Sequence, residues 1–132
     1  PDLSRINLSD DAETIARKIR KAKTDTDGLP SEAAGLKGRP EAENLVGIHA
    51  ALSGQSVEQV LGQFGGGQFS RLKEALAELS VAKLGPIGQE TRRLKGDSGY
   101  VEGILADGSA RARAIAGPIL RETRKIVGFV VS

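Results

Sequence analysis

Apolar residues recur at three- and four-residue intervals through most of this 132-residue chain, and glycine and proline break the pattern into segments. A first helix is predicted from Asp10 or Asp11. Asp10 and Glu13 have the spacing of a capping box, and Asp11 adds negative charge near the positive helix end. At 100° per residue Ile15, Ile19 and Ala22 share one side, with Ala12 near them. Arg17, Arg20 and Lys21 fall opposite, and Lys18 and Lys23 flank the boundary. Residues 24–39, TDTDGLPSEAAGLKGR, carry Gly28, Pro30, Gly35 and Gly38 and read as a long loop. Loops of that length inside a domain are often functional or disordered.

Pro40 suits the first turn of a second helix with Leu45, Ile48 and Leu52 along one face, and Gly54 should stop it. Ser56 then caps a short helix, SVEQVLGQF, which ends at Gly65–Gly67. A long segment from about Gln68 to Leu94 carries Phe69, Leu72, Leu76, Leu79 and Leu84, with a kink or break expected at Pro86. Ser98 is a candidate cap for a fifth helix with Val101, Ile104 and Leu105. Ser109 is one for a sixth through Ile115, Ile119, Leu120 and Ile126, kinked at Pro118 unless it begins there. Apart from the short apolar tail VGFVV no segment reads as a strand. The expected fold is all-α, a bundle of about five to seven helices with one long loop over 24–39.

Composition narrows the core. Aromatic residues are 3% of the chain, namely Phe64, Phe69, Tyr100 and Phe129, so the core must rest on Ala, Leu, Ile and Val. With 39% hydrophobic and 27% charged residues the chain reads as globular. No apolar run approaches the roughly 20 residues that span a bilayer, so no membrane partner is expected. The opening PDLSRINLSDD does not resemble a signal peptide.

Charge is uneven. Residues 1–66 hold 8 Lys/Arg against 10 Asp/Glu, and residues 67–132 hold 11 against 7. The net charge of +2 permits a polyanionic partner without demanding one. The stretch ARKIRKAKTD nonetheless packs five cations between Arg17 and Lys23. Basic residues in a last helical turn also complement the helix dipole, by about 0.3–1 kcal/mol each when exposed. Periodicity alone therefore favours an ordinary solvated face here. Arg92, Arg93 and Lys95, and Arg121, Arg124 and Lys125, form two further basic clusters whose placement periodicity leaves open.

Other chemistry is thin. With no cysteine, disulfides, thiolate metal sites and a Cys nucleophile are excluded, and one histidine rules out a multi-His metal site. His49 lies beside the apolar stripe of the second helix and reads as a packing residue. GQFGGGQF lacks the spacing and lysine of a phosphate loop, and reads as a flexible helix–helix turn. Nothing in the sequence resembles an active site.

Four runs then follow in one order: SRINLSDDAETIARKIRKAKTD, GLKGRPEAENLVGIHAALSGQS, FSRLKEALAELSVAKLGPI and ILADGSARARAIAGPILRETRKIVGF. Together they resemble the C-terminal part of bacterial tryptophanyl-tRNA synthetases over nearly the whole chain. The resemblance implies that Pro1 follows closely on a KMSKS loop and that the Rossmann catalytic domain is missing. Residues 1–25 would be a linker and first basic helix, 26–39 a loop and 40–132 a helical anticodon-binding bundle, forming one structural domain overall. Three features depart from the family pattern: His49 in place of an aromatic residue, the loose Gly65–Gly67 run, and the VVS tail.

The resemblance further implies a cytoplasmic parent enzyme that activates tryptophan with ATP and Mg²⁺ and charges tRNA(Trp). The fragment itself would hold the CCA anticodon arm, with no catalytic residue, no cofactor and no metal of its own. It would be a monomer, whereas the full-length protein would be a homodimer. Arg17, Arg20, Lys21 and Lys23 become candidates for phosphate contacts, and Thr24 and Asp25, at the junction with the catalytic part, are further tRNA-binding candidates. Arg92, Arg93, Arg111 and Arg113 are candidates for stacking against splayed anticodon bases, because aromatics are so few. A helical protein-interaction or scaffold module without a nucleic-acid role is the alternative.

Overall fold

Local chemistry sets most helix ends in the computed structural model, which describes residues 2–129. The α-helices are α1 (Ala12–Lys21), α2 (Pro40–Ser53), α3 (Val57–Phe64), α4 (Phe69–Gly96) and α5 (Ser98–Ile126). Short 3₁₀ turns occupy Asp2–Ser4 and Ala33–Leu36, and no strand occurs among the described residues. The fold is all-α, as expected. Pro40 opens α2, and Gly54 ends it at φ 73°, a left-handed conformation that glycine adopts without steric cost. Ser56 caps α3 in a full capping box: its hydroxyl accepts from the Gln59 amide and the Gln59 side chain accepts from the Ser56 amide. The last two residues of the VGFVV tail, 130 and 131, lie outside the described residues.

By packing, the chain divides into two units, Pro1–Thr91 and Arg92–Ser132. The division lies inside α4, and the 26–39 segment and α1 fall in the same unit as α2 and α3. The first unit holds the core, in which Ile15, Val46, Val60, Leu61, Leu72 and Leu76 are almost wholly buried. Phe69 is its one buried aromatic side chain among otherwise aliphatic residues. Each buried aliphatic side chain of this size contributes about 1.5–3 kcal/mol. The second unit has a different character. None of α5 is buried, and Ile104, Leu105, Ile115, Ile119 and Leu120 are exposed along it.

Several expectations are corrected by packing. The α1 cap is Asp11, whose carboxylate accepts from the Thr14 amide at 2.8 Å. Asp10 instead pairs with Lys18 at 2.7 Å, and Lys18 is 3% exposed among Ile15 and Ile19. A buried ammonium requires such a partner. The buried stripe of α2 runs through Ala42, Leu45, Val46, His49 and Ala50, while Ile48 is exposed. His49 is a packing residue, as expected; burial pushes its imidazole below the usual histidine range. Helix α4 continues through Pro86. The predicted fifth and sixth helices are one: Asp97, not Ser98, caps it by accepting from the Tyr100 amide, and Ser109 and Pro118 lie inside. Pro118 forfeits a single backbone hydrogen bond, and Ala110, Ala112, Ala114 and Ala116 favour helix on its N-terminal side.

The long loop is pinned at both ends. The Leu29 amide donates to the Gly67 carbonyl at 2.9 Å, and the Gly66 amide donates to the Leu29 carbonyl at 2.8 Å. Leu29 and Leu36 enter the core. Arg39 binds the Asp25 carboxylate through two nitrogens, with Nε at 2.8 Å, and donates to the carbonyls of Gly28 at 2.9 Å and Asp27 at 3.2 Å. Asp25 is thereby held below the usual carboxylate range, chiefly by the Arg39 hydrogen bond.

The Asp10–Lys18 pair makes a pH prediction. Lys18, and then the Asn7 amide, hold the Asp10 carboxyl below its ordinary value. A depressed folded-state value means that this contribution is fully present above about pH 4 and is lost as pH falls through the lowered value. Asp10→Asn should therefore lose less stability than wild type in urea unfolding between about pH 5 and pH 2. Parallel profiles for the two proteins would refute the pair's role.

Candidate nucleic-acid interface

Exposed cations gather on α1. Arg17, Arg20 and Lys21 stand at i, i+3 and i+4, which places them on one face, and all three are exposed. Ile15 and Ile19 bury the other face, so core packing fixes which way these cations point. Of the five cations in ARKIRKAKTD, Lys18 is removed from this surface by burial. Lys23 remains 85% exposed at its side chain and touches Glu41 at 3.1 Å. The Glu41 carboxyl is lowered first by its own backbone amide and then by Lys23.

The C-terminal end of α1 is closed by a residue that helical periodicity does not single out. Lys73 of α4 donates to the Ala22 carbonyl at 2.6 Å and to the Arg20 carbonyl at 3.4 Å. It thus serves the orphan carbonyls at the negative end of the helix. A groove of about 390 Å³ runs beside this contact, lined by Arg20, Thr24, Phe69, Ser70, Lys73 and Glu74. Thr24 also borders a second, polar groove with Asp25–Gly28 and Gly66–Ser70. Thr24 is half-buried, and the carboxylate of Asp25 is committed to Arg39.

The remaining candidates lie in the second unit. Arg92 and Arg93 are exposed near the end of α4, and Arg111 and Arg113 are exposed on α5. Arg111 and Arg113 are two residues apart, about 200° around a helix, so they do not share a face. Sequence reasoning misses Arg39 and Arg71 because their aromatic partners are distant along the chain or on another helix. Arg39 lies over Phe69 at 5.9 Å and Arg71 over Phe64 at 5.8 Å. No periodicity signals such a pair.

The glycine run is no phosphate cradle. The Gly65, Gly66 and Gly67 amides donate to the carbonyls of Leu61, Leu29 and Phe64 respectively. Among the described residues no group of three or more His, Asp or Glu could hold a metal ion, and no helix is long and apolar enough to cross a membrane.

Residues 1–85 match the model of the family described as tRNA synthetases class I (W and Y). The chain belongs to this family. Its relatives extend the likeness past residue 85. The chain is 62% identical over 129 residues to a tryptophan–tRNA ligase of Rhizobium meliloti, covering 98% of the chain and 36% of that protein. It is 60% identical over 129 residues to the tryptophan–tRNA ligase of Brucella melitensis, with the same coverage. With that of Caulobacter vibrioides it shares 48% over 128 residues, covering 97% of the chain and 37% of the relative. The chain thus spans little more than a third of the synthetases it matches, and α5 lies beyond the family model but within the similarity to these relatives.

Proposed function

We propose that the chain is the part of a bacterial tryptophan–tRNA ligase that holds the anticodon arm of tRNA(Trp), with its CCA anticodon. What supports this most is the match of 98% of the chain to proteins named tryptophan–tRNA ligase. The cationic face of α1 supplies the physical means. Arg17, Arg20, Lys21 and Lys23 contact backbone phosphates, which sets affinity and register and carries little base information. Unpaired anticodon bases are read by stacking and by their edges.

In this reading the longer protein works in the cytoplasm, activates tryptophan with ATP and Mg²⁺, and transfers it to tRNA(Trp). The residues for ATP and Mg²⁺ belong to its catalytic domain and not to this chain, whose glycine amides are engaged within the fold. The chain alone is a monomer without ligase activity, and the longer protein pairs through the catalytic domain.

Titration at low salt with tRNA(Trp) and with the same tRNA carrying a swapped anticodon tests the proposal. At least about tenfold tighter binding of the CCA form is expected, the worth of one or two base contacts. Equal affinity for both forms overturns anticodon reading by this chain. One observation favours a second reading, a protein-interaction module: the exposed Ile104, Leu105, Ile115, Ile119 and Leu120 of α5. That reading gains if tRNA affinity is unchanged by loss of the α1 cations.

A further inference from the structure

Two described arginines lie over aromatic rings, and their circumstances differ. Arg39, over Phe69, has its guanidinium donors committed to Asp25, Gly28 and Asp27, so it holds the loop. Arg71 is exposed near the start of α4, and its guanidinium makes no hydrogen bond or ion pair with any described residue. It lies 5.8 Å over the Phe64 ring. Phe64 is itself fixed: it packs against the core and meets buried His49 edge-to-face at 5.2 Å. The guanidinium carbon thus sits within cation–π range of a fixed ring while the side chain stays exposed, its hydrogen-bond donors unengaged by any described residue.

A guanidinium in that state is a platform for a base. It is planar, delocalised and weakly hydrated, so an unpaired base stacks on its open face while the rim donors reach phosphate or base edges. We infer that Arg71, seated on Phe64, is the stacking platform for one unpaired base of the bound RNA. This inference rests on the anticodon-arm reading.

The surroundings suit that role. Two residues along α4, Lys73 turns to the other side and closes the cationic end of α1. Lys73 thus ties the first turns of α4 to the C-terminal end of α1, where the exposed cations lie. A strand whose phosphates meet Arg17 and Arg20 can place a splayed base on Arg71. Of the arginines on α5, neither Arg111 nor Arg113 lies over a described aromatic ring.

Arg71→Lys separates stacking from charge, because lysine keeps the cation and loses the plane. The test uses tRNA(Trp) carrying 2-aminopurine in its anticodon loop, with affinity, salt dependence and fluorescence read for wild type, Arg71→Lys and Phe64→Leu. Wild type should raise the probe's fluorescence on binding, as the splayed base leaves its neighbours. Both variants should bind at least about fivefold more weakly, the effect of one unstacked base, with the rise reduced. Arg71→Lys should leave the slope of log affinity against log salt unchanged. If Arg71→Lys binds and raises the fluorescence as wild type does, while wild type still prefers the CCA anticodon, the platform is overturned and the anticodon reading survives. If wild type shows no anticodon preference, both fall. Arg71→Ala is measured in parallel: weaker binding confined to it, with Arg71→Lys unaffected, makes Arg71 a phosphate contact and equally overturns stacking.

Discussion

Substituting Gly65 by alanine is expected to lower the stability of the chain by about 3 kcal/mol, at the upper end of what overpacking costs. A Cβ at Gly65 would lie 2.7 Å from the Ser31 Cα and 2.9 Å from the Pro30 carbonyl oxygen, and would also press on the Leu61 carbonyl. All three are backbone atoms, so no side-chain rotation relieves the contact. Backbone conformation is not the cause, because Gly65 has φ −60°, open to any residue. The cost arises where the 24–39 loop crosses the end of α3. Relief would require pulling Pro30 and Ser31 outward and breaking the two backbone hydrogen bonds of Leu29 to Gly66 and Gly67. Gly62→Ala is the control. It sits inside α3 with nothing within 4 Å of a new Cβ, and alanine there should stabilise by about 0.5–1 kcal/mol. Urea unfolding of both variants checks the pair, and a Gly65→Ala protein as stable as wild type would show that the loop does not press on α3.

Reversing Arg17, Arg20 and Lys21 together to glutamate is expected to weaken tRNA binding on the order of 100-fold at low salt. The slope of log affinity against log salt should also fall by about 2–3, roughly one for each phosphate left without its cation. All three side chains are exposed, and the buried face of α1 is untouched. Glutamate near the helix C-terminus opposes the dipole, at about 0.3–1 kcal/mol each, so circular dichroism and a glutamine version of the triple variant accompany the measurement. A well-folded variant with wild-type affinity would leave the α1 face as solvated surface and favour the protein-interaction reading.

Local chemistry made part of this molecule legible in advance. Pro40, Gly54 and Ser56 act at the positions where their backbone and side-chain preferences place them, because caps depend on neighbours within four residues. Asp10 and Asp11 show where that logic stops. Both are good caps, and what assigns Asp10 elsewhere is Lys18, whose burial depends on the rest of the core. Ser98 and Ser109 fail as caps for a related reason: a cap signal operates only where a helix ends, and α5 runs on through both. The candidate interface divides the same way. The cationic face of α1 is periodic and visible, whereas Arg71 gains its place from Phe64 on another helix.

The sequence by itself determined an all-α chain with an aliphatic core, a run of five cations toward the end of α1, and the ordered runs that carry the family likeness. Those properties come from helical periodicity, capping and composition, all short-range or additive. Only the tertiary structure decided which charges are available. It buried Lys18 on Asp10, bound Asp25 to Arg39, and turned the 24–39 segment from a long loop into a pinned strap over the Gly65–Gly67 run. Each of these depends on contacts between residues distant along the chain, where burial turns a charge or a glycine into a structural requirement.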